Sequence, residues 1–303
     1  MSAQLSQSSG NPAFDRRLEW ARAYLADGEA EAAAGMLADL VAEAPHFLAA
    51  WFLLGEARED LGDRPGAAEA YGAVVSRDPQ DSLGAGARLA RLGARPAEGA
   101  LSPAFVQSLF DQYAPRFDTA LREGLAYRGP ELLLETLRAV DTRPRFARAL
   151  DLGCGTGLAA PLLAPISGEL IGVDLSPGMV RQAEALGLYA RLEVCDMVAF
   201  LAAQPDASAD LVIAADAFCY LDDLAPVLGA AKRVLRPGGR LAFSVETHDG
   251  DGMILRDTLR YAHGAPLVTR LLTEAGYDVP LSRAATTRTE KGHPVPGLIF
   301  IAG

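Results

Sequence analysis

A glycine-rich loop and two acidic residues are the part of this 303-residue sequence best suited to bind a ligand. Asp151 is followed by Gly153, Gly155 and Gly157 at alternate positions, directly after a predicted strand. Glycines at such a place let the backbone touch a ligand. Asp174 closes the next predicted strand, where a carboxylate accepts hydrogen bonds from both hydroxyls of a ribose. The spacing therefore predicts a ligand that contains a ribose.

Charge and spacing indicate what the other end of that ligand is. A dinucleotide site would need a glycine where this chain has Leu158, and it would place helix amides against a pyrophosphate. Asp151 would repel a pyrophosphate but attract an ammonium or a sulfonium. We therefore expect a ligand with a positively charged reactive end. An NAD-dependent oxidoreductase, which shares the glycines and Asp174, is the less favoured alternative.

The segments around this loop alternate between short apolar runs and helical patterns, which predicts a parallel sheet with crossover helices. The predicted strands are 146–152, 169–174, 190–195, 210–215 and 240–246. Ser176 and Pro177 mark a helix start, as cap and first helical residue. After the fifth strand we expect a helix that ends at Gly276. The chain is then predicted to finish in a hairpin of 284–290 and 297–303, in place of a sixth crossover.

The first hundred residues contain a repeated unit of 34 residues, because Gly28 and Pro45 recur as Gly62 and Pro79. The second copy resembles a tetratricopeptide repeat, a helix-turn-helix unit. Its matching positions are Trp51, Leu54, Gly55, Ala67, Tyr71 and Pro79. The first copy is degenerate, with Arg17 in place of Trp51, and residues 82–93 are expected to form a closing helix. Such repeats either bind partner proteins or serve as packing modules, and the sequence leaves both open.

These patterns divide the chain into two predicted domains. Residues 1–95 form a small all-α helical-repeat domain, and 96–102, which is rich in small residues and proline, is a linker. Residues 103–303 form the second domain, with a helical lid at 103–140 and a core at 145–303.

Composition disfavours several classes of protein. The net charge of −11 repels phosphate backbones, so nucleic acid is not an expected partner. Cys154, Cys195 and Cys219 match neither a disulfide framework nor a zinc site, and we predict no metal. The first ten residues lack the pattern of a secretory signal, and no apolar run is long enough for a membrane span. We expect a cytoplasmic protein without a membrane partner.

Five motifs in the second domain, in this order and spacing, resemble the class I S-adenosylmethionine-dependent methyltransferases. They are LDLGCGTG, GVDLSPGMV, CDM, DLVIAADAFCYL and LRPGGRL. With 110–133, 288–302 and the N-terminal repeats, nearly the whole chain resembles predicted bacterial methyltransferases with tetratricopeptide repeats. The resemblance implies an α/β fold with a seven-stranded, mostly parallel, doubly wound Rossmann-like sheet. Its antiparallel last strand would lie between the fifth and the sixth, and its cofactor would be S-adenosyl-L-methionine.

The resemblance also implies a role for individual residues. Asp151 would hold the ammonium of the methionine part, and Asp174 would accept from the ribose hydroxyls. The other implied cofactor contacts are Gly153, Cys154, Gly155 and Gly157 along the methionine and ribose, Leu175, Met179, Asp196 and Met197 around the adenine, and Ala215 and Asp216 at the methionine end. Leu175 and Met179 could instead pack a helix on the sheet, and Asp216 could cap a helix.

Methyl transfer needs the acceptor aligned with the sulfonium and shielded from water, so we expect a lid. In the predicted lid, Tyr113 could face the sulfonium. A neutral acceptor would also need a base. The candidate bases are Glu246, His248 and His263. The candidate catalytic groups are Tyr113, Glu246 and His263, and the candidate acceptor contacts are Tyr220 and His248. Phe110 and Phe117 are expected to pack in the core.

The acceptor is expected to be a small molecule, free or bound to a carrier protein. No Asn-Pro-Pro-aromatic motif follows the fourth strand, where AADAF stands, which disfavours methylation of adenine or glutamine amino groups. O-methylation, including carboxyl methylation, is favoured, with the repeats contacting a partner or a carrier. The alternative is an interaction protein whose methyltransferase-like core retains the cofactor without catalysis.

Overall fold

The computed structural model describes residues 8–119, 121, 124–142, 144–278, 281–290 and 292–303. No helix within these ranges has both the length and the apolar character needed to cross a membrane. The chain forms two compact units that divide between Ser108 and Leu109. The predicted linker 96–102 therefore belongs to the first unit, and its Ala100 and Leu101 are buried.

The first unit is all helical, as its repeat predicts. Its helices are α1 (Pro12–Ala26), α2 (Ala30–Glu43), α3 (Leu48–Asp60), α4 (Arg64–Arg77) and α5 (Ala85–Arg91). Gly28 and Gly62 occupy equivalent turns and are both left-handed, with φ +80° and +76°. A Cβ on Gly55 would lie 2.5 Å from the Tyr71 ring, so the small residue lets α3 and α4 touch.

The second unit alternates helices and strands. After α6 (Pro103–Tyr113), which contains the division between the units, come a 3-10 turn (Ala114–Arg116), a short helical turn (Phe117–Thr119) and α7 (Gly129–Val140). The sheet then begins with β1 (Phe146–Leu152), α8 (Ala160–Leu163), β2 (Ser167–Asp174), α9 (Pro177–Ala185), β3 (Arg191–Val194), α10 (Met197–Ala203) and β4 (Ala209–Ala214). It continues with α11 (Ala225–Val234), β5 (Leu235–Glu246), β6 (Met253–Leu255), β7 (Tyr261–His263), α12 (Ala265–Glu274), β8 (Leu281–Ala285), β9 (Thr289–Glu290), β10 (His293–Pro294) and β11 (Gly297–Ala302).

The main sheet has the order β3-β2-β1-β4-β5-β11-β8. The first five strands are parallel, and β11 runs antiparallel between β5 and β8. These seven strands confirm the predicted fold class. The short strand β7 pairs with the carboxyl end of β5, where Glu246 lies opposite Ala262, and β6 pairs with β7.

The end of the sheet corrects part of the prediction. The strand beside β11 is Leu281–Ala285, and Thr289–Glu290 pairs instead with His293–Pro294. Because β8 is antiparallel to β11, it is parallel to β5, and α12 provides the sixth crossover that we predicted to be missing. The first four residues of β8 are exposed, as suits an edge strand, so it lacks the apolar alternation that would mark it in the sequence.

Helices cover both faces of the sheet. One apolar cluster joins α7 and α8 to one face through residues such as Leu133 and Leu163. The other joins α10, α11 and α12 to the opposite face through Phe200, Val227 and Val268. Because both faces are covered, ligands have access at the strand ends, where the predicted site residues lie.

Candidate functional site

The loop after β1 has the backbone that its glycines predict. Gly153, Gly155 and Gly157 all have positive φ, +65°, +55° and +86°, which favours glycine. A Cβ on Gly153 would lie 2.6 Å from the Cβ of Ala217. At Gly155 the nearest atom to an added Cβ is in the Phe117 ring at 3.8 Å, so this side of the loop is open.

Asp174, at the end of β2, joins that loop to the start of α9. One carboxylate oxygen accepts from the amide of Gly155 at 2.9 Å, and the other accepts from the amide of Ser176 at 2.8 Å. Burial raises the pKa of Asp174, and these hydrogen bonds oppose the rise. Each oxygen keeps a second lone pair, so the carboxylate can still accept from a ligand hydroxyl.

Asp151 lies at the end of β1 and is 1% exposed. The hydroxyl of Tyr189 donates a hydrogen bond of 2.7 Å to its carboxylate. Burial raises the pKa of Asp151 to about 7, the Tyr189 bond opposes the rise, and the charge of Asp174 adds to it. A buried carboxylate with such a pKa is short of positive charge, which a ligand ammonium would supply. The loop and its two acids therefore suit a nucleoside with a cationic amino-acid tail.

The residues predicted around the adenine have local roles in the fold. One carboxylate oxygen of Asp196 caps α10 by accepting from the amides of Val198 and Ala199, both at 2.9 Å. Met197 begins that helix, and its methyl carbon lies 3.8 Å from a Cβ built on Gly153. Leu175 and Met179 flank Ser176 at the start of α9, the first half-buried and the second fully buried. The fully buried Met179 fits the packing alternative.

Asp216 follows Ala215 at the end of β4 and has a positive φ of +58°. Its amide donates to the hydroxyl of Ser244 at 2.9 Å, which holds this unusual conformation. Its carboxylate accepts from Arg260 at 2.6 Å and does not cap a helix. Strained backbone of this kind is often found at functional sites.

Glu246, proposed from the sequence as a base, is 2% exposed and surrounded by arginines. One carboxylate oxygen lies 2.5 Å from Arg260 Nε and 2.7 Å from Arg288 Nη2. The other lies 3.3 Å from Arg256 Nε. Both carboxylate oxygens of Glu246 are thus paired with arginines, so the structure does not support a base role for Glu246.

Neither candidate histidine takes part in the arginine cluster around Glu246. His263 is 0% exposed, and because Glu246 pairs with Ala262, His263 points to the opposite face of the sheet. Burial lowers the pKa of His263 to about 4, although the backbone of Asp222 opposes this shift. Both ring nitrogens of His248 bond within its own turn, to the amide of Gly250 and the carbonyl of Gly252. His248 is therefore held as a turn residue.

The segment before the sheet packs on the site through acidic and aromatic side chains. Asp111 accepts from the hydroxyl of Ser176 at 2.6 Å and from the amide of Gly178 at 2.8 Å. Asp118 accepts from the hydroxyl of Thr156, in the glycine loop, at 2.5 Å. Both loops that carry the predicted cofactor contacts are thus tied to this segment by hydrogen bonds.

The aromatic residues of the predicted lid differ in exposure and in the side chains that they contact. Tyr113 is 41% exposed and its ring lies under Arg116, so the structure does not place it with the other candidate catalytic residues. The ring of Phe110, in contrast to that of Tyr113, makes edge-to-face contacts with the rings of Phe117 and Tyr220. Phe110 and Phe117, which we predicted to be core residues, are half-buried and line the site.

Sequence reasoning missed several residues of this site. Tyr189, Arg260 and Arg288 come from distant parts of the chain and carry no periodic signal. Asp111 and Asp118 are seven residues apart, two helical turns, which would have placed them on one face of a continuous helix. Of these residues, only Asp111 and Asp118 could have been found from the sequence, through their seven-residue spacing.

Fold and site together define a doubly wound α/β protein. Its glycine loop lies at the carboxyl ends of the parallel strands, beside the acids Asp151 and Asp174. Comparison with known families agrees: residues 150–243 match the family model of a methyltransferase domain, and 49–81 match a tetratricopeptide repeat. The chain therefore has a segment that matches a methyltransferase domain, with a tetratricopeptide repeat ahead of it, and it resembles the S-adenosylmethionine-dependent methyltransferases.

Two curated relatives and one solved structure illustrate the likeness. Methyltransferase-like protein 27 of Homo sapiens is 35% identical over 164 residues, which are 53% of this chain and 66% of that protein. The ubiquinone biosynthesis O-methyltransferase of Xanthomonas oryzae pv. oryzae (strain PXO99A) is 34% identical over 101 residues, 32% of this chain and 42% of that protein. The matched segments thus span less than two thirds of either relative.

The solved structure is the [4+2]-cyclase SpnF, with a TM-score of 0.51 and 17% identity, covering 65% of this chain and 94% of that one. At this identity the likeness concerns the fold alone. Since that neighbour is named a cyclase, the reaction must be argued from the residues of the site.

Proposed function

We propose that this chain is an S-adenosylmethionine-dependent methyltransferase that acts on a small-molecule or carrier-bound acceptor. The observation that carries the proposal is the buried carboxylate of Asp151, which has a pKa near 7 and lies beside a left-handed glycine loop. The carboxylate would hold the ammonium of the cofactor, and Asp174 would accept from its ribose hydroxyls. Asp196 and Met197 would contact the adenine, and Asp216 would lie towards the methionine end.

The chemistry is an in-line displacement. The acceptor atom forms a bond to the methyl carbon while the bond from that carbon to sulfur breaks, and the electron pair stays on sulfur. The protein contributes alignment of the three atoms and exclusion of water. Lid residues Asp111 and Asp118, bonded to both cofactor-binding loops, provide that closure. O-methylation is favoured, in keeping with the O-methyltransferase among the relatives.

Binding of the demethylated product cofactor, S-adenosylhomocysteine, tests the cofactor assignment. Calorimetry should show micromolar binding that Asp174→Ala largely removes, because the variant loses both the acceptor for ribose and the two bonds that shape the loops. Asp206→Ala, which removes an exposed partner of Arg233, is the matched control and should bind normally. No binding to the wild-type chain would refute the proposal.

Transfer itself is tested with cofactor labelled in the methyl group and a metabolite extract. Labelled product supports the enzyme. Binding of S-adenosylhomocysteine without any transfer, to metabolites or to carrier proteins, would favour the interaction protein with a non-catalytic core.

We also propose that the helical repeats mediate protein contacts, on the basis of the matched repeat at 49–81. Crosslinking of the full chain in a cell extract, followed by mass spectrometry, should map partner crosslinks to residues 8–95. Crosslinks confined to 109–303 would contradict this role.

A further inference from the structure

A cluster of charged side chains lies at the ends of β4 and β5 and includes Asp216, which is proposed to lie towards the methionine end of the cofactor. Its centre is Arg260, which is 13% exposed and contacts four other side chains, those of Glu246, Asp216, Tyr220 and Cys219. Nε faces Glu246 at 2.5 Å, Nη2 donates to Asp216 at 2.6 Å, and Nη1 donates to the hydroxyl of Tyr220 at 2.8 Å. The guanidinium is therefore fixed in position and orientation.

The second observation is the direction of the Tyr220 proton. A guanidinium donates hydrogen bonds and cannot accept one, so the Tyr220 oxygen accepts from Arg260 and its own proton points elsewhere. Burial raises the pKa of Tyr220, and the charge of Arg260 opposes the rise without cancelling it, so the hydroxyl keeps its proton. Among the residues that the structure describes, no acceptor for this proton is found. Tyr220 is left as a donor that Arg260 polarises.

The third observation is the aromatic row that leads to this donor. Phe110 contacts Tyr220 edge to face, with ring centres 5.1 Å apart, and contacts Phe117 in the same way at 5.9 Å. Phe117 in turn lies against the open side of Gly155, where the cofactor is proposed to bind. Half-buried rings between the cofactor loop and a hydrogen-bond donor suit a flat aromatic body with an oxygen at one end.

We propose that Tyr220, positioned by Arg260 and Glu246, donates a hydrogen bond to an anionic oxygen carried on a planar aromatic acceptor. This rests on the proposed function and narrows its acceptor to aromatic phenolates and carboxylates. Glu246 acts here as a positioning residue. Its carboxylate binds the side chains of Arg260, Arg288 and Arg256 and so fixes the group that orients Tyr220.

The test uses 4-nitrophenolate and 4-nitrobenzoate, titrated into the full chain at about pH 8 in the presence of saturating S-adenosylhomocysteine. At least one should bind the wild-type chain, and Tyr220→Phe should weaken it about 10- to 100-fold, as expected for a lost hydrogen bond to a charged group. Nitrobenzene, which lacks the oxygen, should bind weakly and equally to both.

Absorbance gives a readout that a purely structural role would not move. A hydrogen bond to the phenolate oxygen shifts the 4-nitrophenolate band to the blue, and Tyr220→Phe should abolish the shift. Arg260→Lys keeps the charge but cannot bind Asp216, Glu246 and Tyr220 together, so it should reduce the shift. Tyr277→Phe is the matched control, because its buried hydroxyl donates to the carbonyl of Leu228 and should leave the shift intact.

The outcomes separate this inference from the proposed function. If S-adenosylhomocysteine does not bind the wild-type chain, the proposed function fails. If it binds normally to the wild-type and Tyr220→Phe chains, both are folded. Failure of both anionic probes to bind, or their equal binding to these two chains, would then overturn the assignment of Tyr220 and of the acceptor class.

Discussion

Cofactor binding should become strongly pH-dependent when the hydroxyl of Tyr189 is removed. In the wild-type chain this hydroxyl donates to Asp151 and opposes the rise of its pKa, which stands at about 7. A hydrogen bond to a charged group contributes about 1.5 to 3 kcal/mol, or roughly 1 to 2 pKa units. Tyr189→Phe should therefore raise the pKa of Asp151 to roughly 8 to 9.

The size of the effect follows from the ionised fraction, since the ammonium of the cofactor needs the carboxylate form. At pH 7 about half of Asp151 is ionised in the wild-type chain, against about a tenth to a hundredth in the variant, so the Kd for S-adenosylhomocysteine should rise about 5- to 50-fold. At pH 6 the ratio should widen to about 10- to 100-fold, and at pH 8 it should shrink to about 2- to 10-fold.

Calorimetry at these three pH values, in one buffer series at constant salt, measures the ratio. Tyr277→Phe removes a buried hydroxyl bonded to Leu228 and should match the wild-type chain throughout. Asp151→Asn should bind weakly, with a Kd that changes little over this pH range. If the ratio for Tyr189→Phe were the same at all three values, Tyr189 would act only by packing against Gly157 and Gly172, and the electrostatic reasoning would be refuted.

Three further predictions address the lid, the buried histidine and the repeats. Thr156→Val removes the hydroxyl that donates to Asp118 and should speed release of S-adenosylhomocysteine roughly 2- to 10-fold in stopped-flow measurements; unchanged release would contradict the lid. The pKa of His263 is lowered to about 4, so the folded chain resists its protonation and loses stability as pH falls from about 6.5 to 4. His263→Phe should flatten that decline in urea unfolding, and an unchanged slope would argue against it. Gly55→Ala places a Cβ 2.5 Å from an aromatic ring and should destabilise the first unit by about 1 to 3 kcal/mol in thermal unfolding, whereas Gly72→Ala, with open space around it, should not.

The sequence predicts the fold where the signal is local. Strands buried on both faces are continuous apolar runs, and the left-handed turns at Gly153 and Gly155 require glycine, so both are visible in the sequence. The edge strand β8 escapes because most of its side chains are exposed and no alternation marks it.

The candidate site is predictable only in part, for a related reason. Asp151 and Asp174 end strands and can be placed from the sheet topology alone. The protonation of Asp151 cannot be placed in this way, because it depends on Tyr189, which lies 38 residues away in the chain. The place of Glu246 at the end of the fifth strand predicts a base. Its arginine partners come from two separate loops, and no local sequence pattern pairs them with it.

The charges around the site bear on whether the reaction needs a base. Glu246 has arginine partners on both oxygens, His248 uses both ring nitrogens in its own turn, and His263 lies on the opposite face of the sheet. None of the three bases proposed from the sequence is placed to take a proton from an acceptor held at Tyr220. An acceptor that arrives as an anion needs no such base, since its oxygen is already a nucleophile once water is excluded. A neutral phenol donor such as Tyr220 would hold that anion without protonating it. An ionised aromatic oxygen therefore accounts for both the polarised hydroxyl and the engagement of these three groups elsewhere.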